Sequence, residues 1–314
     1  MAFQAPEDAD LRGPVTDDYI YLCGYPPIDD FLSFIRNNQT DGQPVNTRPL
    51  TEEWRAGNDH VRALEGTEGE LAATGVILPL QENLEPLRDQ VLADPVVRRT
   101  FDVMPIDVGM VELDRLSVFQ KHVNLSYVHD LRAILGQNPS DEAVFRYCLL
   151  DPPQPTVKFA KVAANGYVFV SPSNDLRFLG PALLEPSQVT GYPLPGRASG
   201  VVGLVAGFGA NCLSVMAFEG RLILNNGTHR AAALRQAGMT HAPAIIQHIS
   251  RREELEAVFS SDVLEKVEVY LEMARPPLFK DYFDPKLSRP VKVPRRLTQV
   301  KLTFGWESID VPVV

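Results

Sequence analysis

Lysine is missing from the first 120 residues and first appears at Lys121. The stretch from Met1 to Asp107 holds 20 acidic and 8 basic residues, so it carries more negative charge than the net −10 of the whole chain. An acidic front of this kind repels nucleic acid unless a basic patch elsewhere dominates. Cysteine is also scarce. Cys23, Cys148 and Cys212 are scattered, odd in number and without metal-ligand spacing, so neither a disulfide framework nor a metal cluster is expected. No apolar run reaches membrane-spanning length, and the N-terminus lacks the basic start and apolar core of a signal peptide. These absences make a cytoplasmic protein without membrane contact the expectation. What remains is ordinary for a globular chain: 314 residues, 45% hydrophobic and 22% charged, enough for about two domains with buried cores.

Patterning divides the chain into three parts. Residues 1–107 read as a helical N-terminal extension. Pro27 precedes an apolar stripe of Ile28, Phe31, Leu32 and Ile35. Thr51 is placed to cap a helix through Trp54, Val61 and Leu64, which Gly57 weakens. Two more helical pieces, Leu84–Leu92 and Pro95–Phe101, are split at Asp94-Pro95.

Residues 108–275 read as an α/β (α+β) domain with a foreign insertion at about 137–199. Met110–Leu116 has strand character. Asn124 then caps a helix through Leu125, Val128, Leu131 and Leu135 that Gly136 ends, and Ser140 caps another. Asn165-Gly166 between Val157–Ala160 and Tyr167–Val170 signals a hairpin. Pro172–Arg197 reads as a surface excursion, and Gly200–Gly209 as a buried glycine-rich strand. Cys212–Ala217 and Arg221–Leu224 form a strand pair around Glu219-Gly220, a helix runs from Thr228 to Gly238, and His241–Gln247 is a strand. Ser250 with Glu253 suggests a capping box for a helix through Leu255 and Phe259, and Ser261 caps a further helix through Leu264, Val267 and Leu271. Residues 276–314 read as an extended C-terminal tail, with a basic stretch from Lys280 to Lys301 expected to be solvated.

The chemistry concentrates in Leu222–Leu234. An apolar strand runs through Asn225, Asn226 and Gly227 into a helix that opens Thr228-His229-Arg230. A helix N-terminus presents unpaired N–H groups and the positive end of its dipole, which suits a phosphate. Thr228 adds a hydroxyl, His229 an imidazole and Arg230 a guanidinium fork. Without a ligand, the same strand–glycine–helix pattern is common in α/β proteins.

The run Gly-Thr-His-Arg-Ala-Ala-Ala-Leu, followed by Ala-Gly and the strand Ala242–Ile246, resembles the ParB/sulfiredoxin superfamily. Val111–Leu116 followed by Gln120-Lys121-His122 looks like its first motif. The resemblance covers roughly 110–136 and 200–259. It implies a mixed-sheet domain that binds a nucleoside di- or triphosphate, with Mg²⁺, through Gln120, Asn226, Gly227, Thr228, His229 and Arg230. His122 or His229 would be the general base of a phosphotransferase or nucleotide hydrolase. Thr228 stands where sulfiredoxin has cysteine, which excludes that chemistry, and Gln120-Lys121-His122 lacks the acidic base of the ParB-like serine kinases. A non-catalytic nucleotide-gated switch or assembly protein is the alternative. In that reading the acidic N-terminal region and the C-terminal tail carry partner contacts or homo-oligomer formation. Sequence-specific DNA binding is not expected, because only two helices follow the motif where partition proteins carry a helix-turn-helix.

Overall fold

The computed structural model describes residues 15–39, 44–173, 175–191, 193–194, 196–255, 267 and 271–311. They form an α+β protein of two compact units. Among the described residues the larger comprises those within 15–153 and 210–294, and the smaller those within 154–209 and 295–311.

The larger unit opens with β1 (Thr16–Leu22), then α1 (Ile28–Asn38), α2 (Thr47–Glu68), β2 (Ile77–Leu78), α3 (Glu85–Ala93) and α4 (Pro95–Thr100). Next come β3 (Ile106–Glu112), β4 (Ser117–Val118), β5 (His122–Asn124), α5 (Leu125–Leu135) and α6 (Asp141–Phe145), which continues as a π-turn over Arg146–Leu150. The smaller unit contributes β6 (Lys158–Ala163), β7 (Gly166–Ser171), β8 (Arg177–Leu184) and β9 (Val201–Gly207). The larger unit resumes with β10 (Ser214–Phe218), β11 (Arg221–Asn226), α7 (Thr228–Gln236), β12 (His241–His248) and β13 (Ser288–Pro294), and β14 (Thr298–Thr303) belongs to the smaller one.

A six-stranded mixed sheet in the order β2-β3-β12-β10-β11-β4 is the backbone of the larger unit. β10 runs parallel to β12 and β11 parallel to β4, while the other neighbours are antiparallel. Period-two alternation buries both faces. Val215, Leu222 and Leu224 point into the main core with Ala231–Leu234 of α7, and Met216, Phe218 and Ile223 point into a second cluster with Ile249, Leu255, Val267 and Leu271. The three alanines of α7 are small enough for the helix to lie close on the sheet.

Local signals hold in most places. Asn124 caps α5 by accepting the Tyr127 N–H at 3.0 Å, Gly136 ends it at φ 78°, and Ser140 caps α6. The β6–β7 hairpin forms where expected, but its turn is Ala164-Asn165, one residue early, and Gly166 opens β7 opposite Ala163. Other expectations need correction. α2 starts at Thr47 with Asn46 as its cap, and Thr51 lies inside the helix, its hydroxyl donating to Thr47 O. The excursion at 172–197 contains β8, which pairs with β9, and β9 is half-exposed rather than buried. Glu254, not Glu253, accepts the N–H groups of Ser250 and Arg251, at the start of a short 3-10 turn. Phe259 and most of the helix expected after Ser261 lie outside the described residues.

The N-terminal region is not purely helical, because β1 sits between β13 and β5 in an antiparallel sheet. The C-terminal region is correspondingly not one tail: β13 completes the larger unit and β14 the smaller. The basic stretch does not stand free, since Lys280 pairs with Glu68 at 2.6 Å, Arg289 with Glu53 and Lys292 with Asp18. No described helix is long and apolar enough to cross a membrane.

Candidate functional site

β11 delivers the chain to Gly227, which occupies the N-cap position of α7 at φ 97° and ψ 20°. A side chain there would be strained, and a Cβ would stand 3.2 Å from both Cα and Cγ of Leu213. Gly227 is thus required by the fold itself. Because the cap residue has no side chain, none satisfies the first-turn N–H groups of α7. Thr228 is the first helical residue and is buried, while Asn225 and Asn226 are exposed at the strand's end. The open side of the turn is therefore the asparagine side.

Arg230 turns inward. It is 4% exposed. Its Nη1 donates to the Cys148 carbonyl at 3.0 Å and its Nη2 to Asn211 Oδ1 at 3.2 Å, and neither acceptor carries charge. Burial lowers the guanidinium pKa from its ordinary value. The nearby thiols do not act as counter-ions, because burial pushes Cys148 up to about 12 and Cys212 up to about 11. Sequence reasoning missed both acceptors. Cys148 lies in the π-turn after α6, and Asn211 holds a left-handed φ of 48° that asparagine tolerates. Nothing in their spacing links them to residue 230.

His229 is committed to the backbone. Its Nε2 accepts the Asn124 N–H at 3.1 Å, so the ring proton resides on Nδ1. The ring packs edge-on against Tyr127 with centroids 5.4 Å apart. Burial, helped by repulsion from His122 and Arg230, drops its pKa to about 4. The imidazole is neutral near pH 7, yet its only lone pair is occupied, which removes it from general-base work.

The first motif is equally engaged. His122 stacks on Phe34 with centroids 4.9 Å apart and lies 5.8 Å from Tyr19, and its pKa is lowered by burial. Its Nδ1 is buried and has no hydrogen-bond partner among the described residues. Gln120 donates its amide to the His122 carbonyl at 2.7 Å, and its own carbonyl accepts from the Tyr282 hydroxyl. Lys121 donates to Pro26 O at 2.8 Å and to Asp30 at 3.1 Å. β5 therefore brings the motifs together through Asn124 and His229, but His122 and Arg230 project into different surroundings rather than across one pocket.

No described group of three or more His, Cys, Asp or Glu side chains has metal-binding geometry. A cavity of about 260 Å³ lies between α1 and β13, lined by Ile35, Asn38, Arg289 and Lys292 among others. Its two cations are the ones paired with Glu53 and Asp18, so it has less capacity for an anion than the α7 turn. Comparisons with protein-family models, with curated proteins and with solved structures return no match, and the likeness to the ParB/sulfiredoxin superfamily rests on the two motifs alone.

Proposed function

We propose that the Gly227–Arg230 turn is the phosphate-binding element of a ParB-like module, and that this protein binds a nucleoside di- or triphosphate without turning it over. The observation that carries this reading is Arg230: a buried cation on the first turn of a helix, hydrogen-bonded to two neutral acceptors. Burying a charge without a counter-ion is costly. Here the positive end of the α7 dipole adds to the same local potential. An anion seated on the uncapped N–H groups of α7, entered from Asn225 and Asn226, would relieve both. The binding reading is preferred to a phosphotransferase or hydrolase because of the histidines. His229 has no free lone pair, and the half-buried His122 ring is held against Phe34 and Tyr19.

Thermal unfolding of the full chain with ATP, ADP, CTP, GTP and pyrophosphate, each with and without Mg²⁺, tests the proposal. At a hundredfold excess over its dissociation constant, a ligand should add about 2.7 kcal/mol of stability. Phosphate release from the same mixtures should not exceed the protein-free control. A screen in which no polyphosphate raises the melting temperature would end this reading, and release above the control would restore the enzymatic one.

A further inference from the structure

The smaller unit has two little sheets and almost no interior. β14-β7-β6 form one sheet and β8-β9 the other. Among its described residues the buried hydrophobic side chains are Val168 and Leu176, and none of the three apolar clusters of the protein includes a residue of this unit. An isolated two-stranded hairpin is marginal in water. Yet β8–β9 displays apolar side chains on both faces. Leu183 and Val202 are direct cross-strand partners, 82% and 68% exposed, and Val205 emerges on the opposite face. Among described residues each of these strands pairs only with the other, so each has an open edge.

The same unit holds a segment that, among the described residues, joins no strand. Phe304 is tied to the tip of the β6–β7 hairpin, its N–H donating to Asn165 O at 3.1 Å and its carbonyl accepting from Asn165 Nδ2 at 2.9 Å. Beyond it, residues 305–311 run off the end of their own sheet without regular structure, and Trp306 is 86% exposed, with Ile309 and Val311 similarly bare. In an extended conformation Trp306 points to one side and Ile309 and Val311 to the other, which suits a hairpin that is apolar on both faces. Charge agrees as well. The segment carries Glu307 and Asp310, while the cations of the hairpin are Arg177 on β8, 3.8 Å from Asp175, and Arg197 in the loop before β9.

We propose that the protein self-associates by strand exchange, residues 304–311 of one copy adding to the edge of β8–β9 in a second copy. A second copy is the occupant because it brings the matching apolar and acidic segment, while the chain's own segment departs from the β6–β7 hairpin tip. Reciprocal exchange seats two such segments, and a buried aromatic side chain alone removes roughly 150–250 Å² from water. This proposal is independent of the phosphate site.

Full-length protein with Trp54→Phe leaves Trp306 as the sole tryptophan of the two in the chain and provides the probe. Sedimentation velocity should show an assembly that dissociates on dilution, with Trp306 emission moving to longer wavelength over the same concentrations. Trp306→Glu and Leu183→Glu, both at exposed positions and checked for folding by circular dichroism, should each give monomer. Glu307→Lys with Asp310→Lys should weaken association at least tenfold, and Arg177→Glu with Arg197→Glu should restore it. A monomer at every concentration overturns the proposal, as does an assembly indifferent to Trp306→Glu. Shielded Trp306 in a monomer would place the segment on its own hairpin, and co-sedimentation of monomer with phosphatidylcholine vesicles would assign the face to lipid; either result also overturns it.

Discussion

With Nε2 of His229 accepting the Asn124 N–H, protonation of that ring would set a second N–H against the first. Burial, with repulsion from His122 and Arg230, also disfavours the charged imidazole in the folded protein, and its pKa falls to about 4 from the ordinary 6.5. The sign follows directly: in this window the unfolded chain binds the proton more readily, so stability is full above pH 6.5 and is lost as pH falls towards 4. His122, also depressed by burial, acts in the same direction. The His229 contribution is on the order of 3 kcal/mol. Urea midpoints measured from pH 7.5 to 4 should fall accordingly. His229→Gln, whose amide oxygen can accept the same N–H, should flatten the curve, and an unchanged slope would mean that other groups control it.

Arg230→Met is the second residue-scale prediction. Of the partners it leaves, Cys148 O keeps the Leu213 N–H at 2.9 Å, and Asn211 Oδ1 loses its donor but belongs to a half-buried side chain that water can reach. Removing a buried cation of similar volume should thus leave ligand-free stability unchanged or raise it by about 1 kcal/mol. Stabilisation by polyphosphate should weaken by about 1 kcal/mol or more, because the buried cation's share of the positive potential at the α7 N-terminus is lost. Calorimetry with and without pyrophosphate separates the two effects. A large ligand-free loss would make Arg230 a structural group only.

At the scale of elements, α2 shows why a residue that weakens a helix can be required in it. Gly57 lies against Gly24 at the end of β1: a Cβ on Gly57 would stand 3.2 Å from Gly24 Cα, and one on Gly24 would come within 2.6 Å of Asn58 N at φ 90°. Gly24→Ala should cost about 2–4 kcal/mol through backbone strain and overpacking. Gly57→Ala should cost about 1 kcal/mol net even though alanine is the better helix former by roughly that amount. Chemical denaturation of both variants gives the order, and stabilisation by Gly57→Ala would show that the crossing can widen.

Elements whose signals lie within a few residues were legible, including the Asn124 cap, the Gly136 stop, the β6–β7 hairpin to within one residue and the strand–turn–helix at Gly227. β1 was not, because Asp17 and Asp18 dilute its apolar character and its partners are β13 and β5, distant in sequence. β8 was hidden by proline and glycine, and it finds its pairing only with β9. At the candidate site the turn was readable but the aim of its side chains was not. Arg230 meets acceptors 82 and 19 residues away, and residue type alone carries no information about such tertiary partners.

At the scale of the molecule, charge that looks segregated along the sequence is matched in space. Asp18, Glu53 and Glu68 from the acidic front meet Lys292, Arg289 and Lys280 from the basic stretch. Those cations are consequently not offered to a phosphate backbone, and duplex DNA should bind weakly and without sequence preference at about 150 mM salt. A nanomolar, sequence-selective complex in a mobility-shift titration would contradict this.

The same two chain regions are clamped by a buried network. Arg275 is fully buried and donates to Asp281 at 2.7 and 3.1 Å, to Glu68 at 3.0 Å and to the Tyr25 hydroxyl, which itself donates to Asp281 at 2.6 Å. Asp281 also accepts the Leu278 N–H at 2.8 Å. One carboxylate thus balances a guanidinium, a phenol and a backbone donor away from water. Asp281→Asn keeps the shape but withdraws the charge, and its amide nitrogen can only donate where a donor already points. The loss should be about 3–5 kcal/mol, the scale for breaking one side of a buried pair. Urea unfolding should show it as a lowered midpoint with an unchanged slope, because the surface exposed on unfolding stays the same. If the unfolding free energy falls by less than about 1 kcal/mol, Glu68 alone is compensating Arg275. In that case Glu68→Gln with Asp281→Asn should cost far more than the two single changes added together.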